Sequence, residues 1–220
     1  MSEDMTIGRV QVRRWRADNP ARVVVIVHGY GEHIGRYEHV AEALVAGGST
    51  VVGPDHVGHG RSGGERALIE NFEPIVDDLR TVVRDTRGEL PVVMIGHSMG
   101  GLIATCYAQR HREDLAGLVL TAPAVGLGPV IAGWLTAPDL PSDPIDVATL
   151  SRDAAVGKAY SADPLVWHGG WKRPTLEAFV MADEAIAGGP RLADHEVLNE
   201  IARDETITLV ARFVERSTAR

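Results

Sequence analysis

Val92-Val93-Met94-Ile95-Gly96-His97-Ser98-Met99-Gly100-Gly101 decides how the rest of this 220-residue chain is read. An apolar run rich in β-branched residues suits a strand buried on both faces. Glycine before and after Ser98 permits a turn too tight for larger side chains, and Met99 to His111 then reads as a helix. A serine on such a bend is lifted above the sheet edge, beside a helix N-terminus that points backbone N–H groups toward it. As a bare pattern G-x-S-x-G is weak. At the end of a β-run and followed by Gly101 it is strong, and it marks Ser98 as a nucleophile. A free serine hydroxyl attacks poorly, so a base within hydrogen-bond reach is required.

Outward from this bend, strands and helices alternate. Val10 and Val12 alternate with polar residues and predict a half-exposed strand. Val23 to Val27 is an unbroken β-branched run ending at His28-Gly29, and Thr50 to Val52 is a short strand closed by Gly53-Pro54-Asp55. Tyr37 to Ala46 predicts a helix stopped by Gly47-Gly48. Phe72, Ile75, Val76, Leu79, Val82 and Val83 recur at helical spacing, with Gly88 as a stop. Leu118 to Leu120 is one more strand. This alternation implies βαβ units, a mostly parallel sheet and an α/β fold. After Pro123 the chain turns Pro- and Gly-rich, with amphipathic pieces at 147–160 and 175–186. The expected organisation is a core over 1–123, a helical cap over 124–190 and a remnant of core over 191–220, with a last helix near 204–216.

Composition narrows the function. Hydrophobic residues at 45% and charged residues at 24% are ordinary for a soluble domain. A net charge of -8 argues against nucleic acid, which requires a surplus of Lys and Arg. With Cys106 as the single cysteine, no internal disulfide forms. Met1 to Met5 is acidic, without the apolar core of a signal peptide, and no run has the ~18 apolar residues of a membrane span. A cytoplasmic protein is expected. His28, His33, His56, His59 and His97 match no familiar zinc spacing, so neither metal nor cofactor is expected.

Four blocks carry a resemblance. They are His28-Gly29-Tyr30-Gly31-Glu32-His33-Ile34-Gly35-Arg36-Tyr37, Asp55-His56-Val57-Gly58-His59-Gly60-Arg61-Ser62, Gly96 to Gly101, and Ser161-Ala162-Asp163-Pro164-Leu165. In this order they resemble the monoacylglycerol lipases of the α/β-hydrolase superfamily. The resemblance implies an α/β-hydrolase fold with a helical cap, and hydrolysis of monoacylglycerols or similar lipid esters through a Ser98 acyl-enzyme. It also implies an oxyanion hole of two main-chain N–H groups, those of Tyr30 and Met99. His195-Glu196-Val197-Leu198-Asn199-Glu200 resembles the family's segment around its catalytic histidine, so His195 is implied as general base. Sequence logic alone leaves His168 open as an alternative.

The acid breaks the pattern. The family places it after a strand beyond the cap, and between Pro123 and His195 no buried β-run occurs. The C-terminal strands are therefore expected to be missing from this chain, roughly 50 residues on a βαβ-sized count. No carboxylate is identified as the catalytic acid. Asp194 adjoins His195 and points away from it, while Asp163 and Asp183 lie in the cap. In the best-characterised triad, losing the acid costs about 10⁴ in turnover. An inactive lipid-binding hydrolase, or a general carboxylesterase or peptidase, are therefore competing readings. Two further expectations follow. The uncovered strand at 118–120 favours self-association, and Val130-Ile131-Ala132-Gly133-Trp134-Leu135 offers the cap a peripheral membrane contact.

Overall fold

The first two strands form a hairpin that hydrophobic patterning does not announce. In the computed structural model, which describes residues 2–140, 145–190 and 192, β1 (Ser2–Ile7) pairs antiparallel with β2 (Val10–Trp15). Apolar alternation in β1 is confined to Met5 and Ile7, too short to support a periodicity reading. Charge supports it instead: Arg13 meets Asp4 at 2.7 Å, and Arg14 and Arg16 meet Glu3 at 2.5 and 2.6 Å. Charge of this kind also suits an outermost strand, whose unpaired backbone would otherwise attract another chain.

Four more strands complete the sheet: β3 (Arg22–Val27), β4 (Ser49–Pro54), β5 (Val92–His97) and β6 (Gly117–Thr121). Their order is β1-β2-β4-β3-β5-β6, and β4, β3, β5 and β6 run parallel. β3 is central. Its residues Val23 to Val27 are at most 3% exposed, each worth about 1.5–3 kcal/mol of gross burial energy. The chain moves from β3 to β4 on one side, then crosses to β5 on the other. That reversal leaves a crevice at the carboxyl ends of β3 and β5, the usual place for a ligand in an open α/β sheet.

Helices cover both faces. α1 (Glu38–Ala46) follows a 3-10 turn at Ile34–Tyr37 and packs with Trp15, Val24, Ile26 and Val51. α2 (Glu73–Arg87) and α3 (Met99–Arg110) cover the opposite face, against Val23, Val25, Val27 and Met94. The segment expected as a cap folds into α4 (Gly128–Leu135), α5 (Ala154–Ala162) and α6 (Arg173–Gly188), and belongs to one unit with the core. Asp183 on α6 accepts the Gly126 and Gly128 N–H groups at 2.5 and 2.9 Å, which fixes the entry to α4. Thr175 on α6 accepts the Ile69 N–H at 3.0 Å and donates to the Ala67 carbonyl at 3.2 Å.

β6 is the outermost strand on its side among the described residues, and it differs sharply from β1. Val119 and Leu120 are 43% and 38% exposed, although Leu118-Val119-Leu120 has the composition of an interior strand. The helix expected near 204–216 lies outside the described residues.

Candidate active site

The bend at Ser98 is as tight as its glycines require. Ser98 takes φ 53° and ψ -119°, a conformation that costs a non-glycine residue of order 1–3 kcal/mol. The surroundings hold it there. Its N–H donates to the Thr121 carbonyl at 3.1 Å, and its own carbonyl accepts from Gly101 and Ala124, both at 2.9 Å. A Cβ at Gly96 would lie 2.5 Å from the Gly100 carbonyl oxygen, and one at Gly100 would collide with the Val27 carbonyl. Larger residues there would force α3 away from β3 and β5. The Ser98 side chain is half-buried and lines a cavity.

The loop after β3 faces it. A Cβ on Gly29 would stand 3.3 Å from the Ser98 Cβ, so the two loops touch. Glu32 accepts the Gly29 N–H at 2.7 Å, the Tyr37 hydroxyl at 2.6 Å and the Arg36 Nε–H at 2.9 Å. Its burial is thereby compensated on both carboxylate oxygens. Burial, with the Glu32 carboxylate beside it, pushes the Tyr37 hydroxyl well above its ordinary range. The Tyr30 side chain is tied down too. Its hydroxyl donates to the Ala67 carbonyl at 3.2 Å, and its ring stacks on Trp171 at 4.4 Å. The main-chain N–H groups of Tyr30 and Met99 donate to no acceptor among the described residues. Two unspent donors thus flank the serine, one in the loop after β3 and one at the first residue of α3.

The cavity measures about 420 Å³, within the range of small-molecule sites. Leu127, Val130, Ile131, Trp134, Val156 and Phe179 form apolar walls contributed by α4, α5 and α6 and the turn before α4. Near Gly29 the lining turns polar, with Glu32, Arg36, His97 and Tyr160. The Tyr160 hydroxyl is buried and has no hydrogen-bond partner among the described residues, and its ring lies 4.7 Å from the Arg36 guanidinium. These lining positions are scattered over 150 residues, so no sequence periodicity could have gathered them.

The remaining candidates separate clearly. His195 and Asp194 lie outside the described residues. His168 bonds the Asp163 carbonyl at 3.1 Å through Nε2 and does not line the cavity. Asp163 is engaged with His33 at 2.8 Å, a link between α5 and the loop after β3. Burial alone would raise the Asp163 carboxyl, but the His33 bond and the Leu165 N–H hold it below its ordinary value. Asp183 is spent on the entry to α4. Among the described residues Glu32 is the one carboxylate lining the cavity, and both its oxygens are committed.

Of the other histidines, His28, His56 and His59 cluster beneath the loop with ring centroids 4.2 to 6.2 Å apart. Burial holds all three neutral, His56 down to about 3, so none carries charge near pH 7. His97 bonds the Thr121 carbonyl and hydroxyl, both at 3.1 Å. Among the described residues, His111, Glu113 and Asp114 are close enough to share an ion, but Asp114 already pairs with Arg80 and Arg87. None of the three lines the cavity.

Comparison with known proteins gives a consistent picture. The signature of a family described as serine aminopeptidase, S33, matches residues 18–192. The chain is 42% identical over 168 residues to a monoacylglycerol lipase of Mycolicibacterium smegmatis, covering 70% of this chain and 60% of that protein. It is 37% identical over 174 residues to the monoglyceride lipase of Homo sapiens, covering 73% and 57%. Among solved structures, a monoacylglycerol lipase of Paleococcus ferrophilus aligns with a TM-score of 0.66 at 27% identity, over 81% of this chain and 70% of that one. The chain thus spans 57 to 60% of the length of these two curated relatives.

Proposed function

The chain belongs to the serine aminopeptidase S33 family of α/β-hydrolases, and from that premise we propose that it hydrolyses single-chain lipid esters, monoacylglycerols foremost. One observation carries the reading: Ser98, on its strained bend, opens into an apolar cavity beside a loop with an unspent N–H donor. In this mechanism the Ser98 hydroxyl attacks the ester carbonyl, and the Tyr30 and Met99 N–H groups receive the negative charge on its oxygen. His195 takes the serine proton and returns it to the departing alcohol, and water then releases the fatty acid. The apolar walls suit an acyl chain, and Arg36, Glu32 and the Tyr160 hydroxyl give a polar end suited to glycerol.

A fluorophosphonate probe tests the nucleophile directly. The wild type is expected to be labelled and to release fatty acid from a monoacylglycerol. Ser98→Ala is expected to do neither, losing at least 10³-fold in turnover. Folded wild type that takes up no probe would defeat the reading. Initial rates on a monoacylglycerol, a p-nitrophenyl ester and an amino-acid amide then rank lipase, esterase and peptidase activity.

A second reading has its own support: among the described residues no uncommitted carboxylate lines the cavity. A chain without the acid would hold a lipid in the same cavity and turn it over slowly or not at all. Retention of a fluorescent fatty acid by unlabelled protein would favour that outcome.

The cavity rim also carries the proposed membrane contact. Leu127, Val130, Trp134 and Leu150 are all exposed there. Cosedimentation with lipid vesicles is expected to fall in Val130→Asp, where a charge enters the rim.

A further inference from the structure

The donor at Tyr30 is useful only if its peptide is turned the right way, and a buried ring, His28, turns it. The Tyr30 N–H belongs to the Gly29–Tyr30 peptide, whose other polar group is the Gly29 carbonyl. His28 Nδ1 lies 2.8 Å from that carbonyl oxygen. A carbonyl only accepts, so Nδ1 carries the proton. The other ring nitrogen agrees: His28 Nε2 lies 3.1 Å from the His56 backbone nitrogen, which only donates. Both partners therefore select one neutral tautomer, Nδ1–H with a lone pair on Nε2.

A trans peptide is planar, with its N–H pointing opposite to its carbonyl. Fixing the Gly29 carbonyl toward the buried ring consequently turns the Tyr30 N–H the other way. The preceding peptide is fixed as well. The His28 carbonyl lies 3.3 Å from His56 Nε2, and the Gly29 N–H is held by Glu32. His28 is fully buried, and burial keeps its ring neutral, as the Nε2 lone pair requires.

We propose that His28 is a positioning residue: its Nδ1–H holds the Gly29 carbonyl and so aims the Tyr30 N–H at the oxyanion. This rests on the hydrolase reading above, and it adds a group that never touches the substrate.

Two variants separate the ring's two bonds. In His28→Asn the side-chain amide sits at the level of Nδ1 and can still donate to the Gly29 carbonyl. In His28→Gln the amide sits at the level of Nε2 and can serve only the His56 N–H. With p-nitrophenyl butyrate, His28→Gln is expected to lose roughly 10²-fold in kcat with KM little changed, the scale of losing one oxyanion donor. His28→Asn is expected to recover at least about tenfold of that loss. A purely structural role predicts instead that kcat follows melting temperature in both variants. Nitrogen NMR of the wild-type ring at pH 8 needs no variant to fold, and it is expected to show the proton on Nδ1. A proton on Nε2 would overturn the proposal, as would equal kcat in two folded variants. A wild type without esterase activity or fluorophosphonate labelling would overturn the hydrolase reading itself, and is seen before any variant is made.

Discussion

On the core side of the cavity a Cβ at Gly100 would run into the Val27 carbonyl, whereas on the cap side Leu127, Val130, Trp134 and Leu150 stand partly in solvent. At Gly100 the core wall is backbone packed on backbone, with no side chain there to yield. The cap wall is held by separate polar links: Asp183 to the start of α4, Thr175 to the 67–69 turn, and His33 to Asp163. The difference teaches where tolerance lies. Atoms that must meet within tenths of an ångström sit on the wall that cannot move. The shape of the cavity is set by the wall that can, so what the cavity admits can drift while the bend at Ser98 stays fixed.

The sharpest way to break this contrast is Gly100→Ala. The added methyl meets backbone rather than a flexible side chain, so a loss of about 4 kcal/mol or more is expected in urea denaturation. A variant that folds normally would show that the core wall is soft after all.

Acidification should weaken the two walls in different pH windows. His28, His56 and His59 have folded pKa values below their ordinary 6.5, held down first by burial. Their stabilising effect is complete above that value. It is lost as the pH falls, because the unfolded chain takes up protons that the native state refuses. The loss is at most about 1.4 kcal/mol per histidine per pH unit. Asp163 on the cap side is depressed below 3.8, so its contribution persists through that window and falls away only at lower pH. A melting temperature flat from pH 7 to 5 would contradict the burial of the three rings.

A smaller effect is expected from Asp183→Ala. It leaves the Gly126 and Gly128 N–H groups without their acceptor, at a cost of about 1–3 kcal/mol. Acyl-chain preference should broaden at the same time as α4 loosens. Loss of stability without any change in preference would separate α4 from the cavity. The smallest effect is expected at Gly133, inside α4 with open space around it. Gly133→Ala should stabilise by about 0.5–1 kcal/mol in thermal melts, opposite in sign to the same change at Gly100.

Legibility in the sequence divides along similar lines. β3 was readable because a strand buried on both faces must be continuously apolar, β5 because its apolar run ends at the elbow, and the bend at Ser98 because its glycines leave a fixed spacing. β1 was not readable, since only Met5 and Ile7 alternate in it and Glu3 and Asp4 tie the rest to Arg13, Arg14 and Arg16. The family blocks pointed to the loop holding Tyr30 and Glu32. That Glu32 braces this loop, and that His28 faces the Gly29 carbonyl, depends on hydrogen bonds that no spacing encodes. The cavity residues come from helices that meet only in three dimensions. His195, indicated by resemblance alone, lies outside the described residues.

The positive φ at position 98 also limits what could ever replace the serine. Threonine carries the same alcohol, but a β-branched residue is a genuine outlier in that backbone region. Cysteine has the unbranched shape the seat accepts. A thiol at this position is thus one substitution away, while the exchange that looks most conservative on paper is closed.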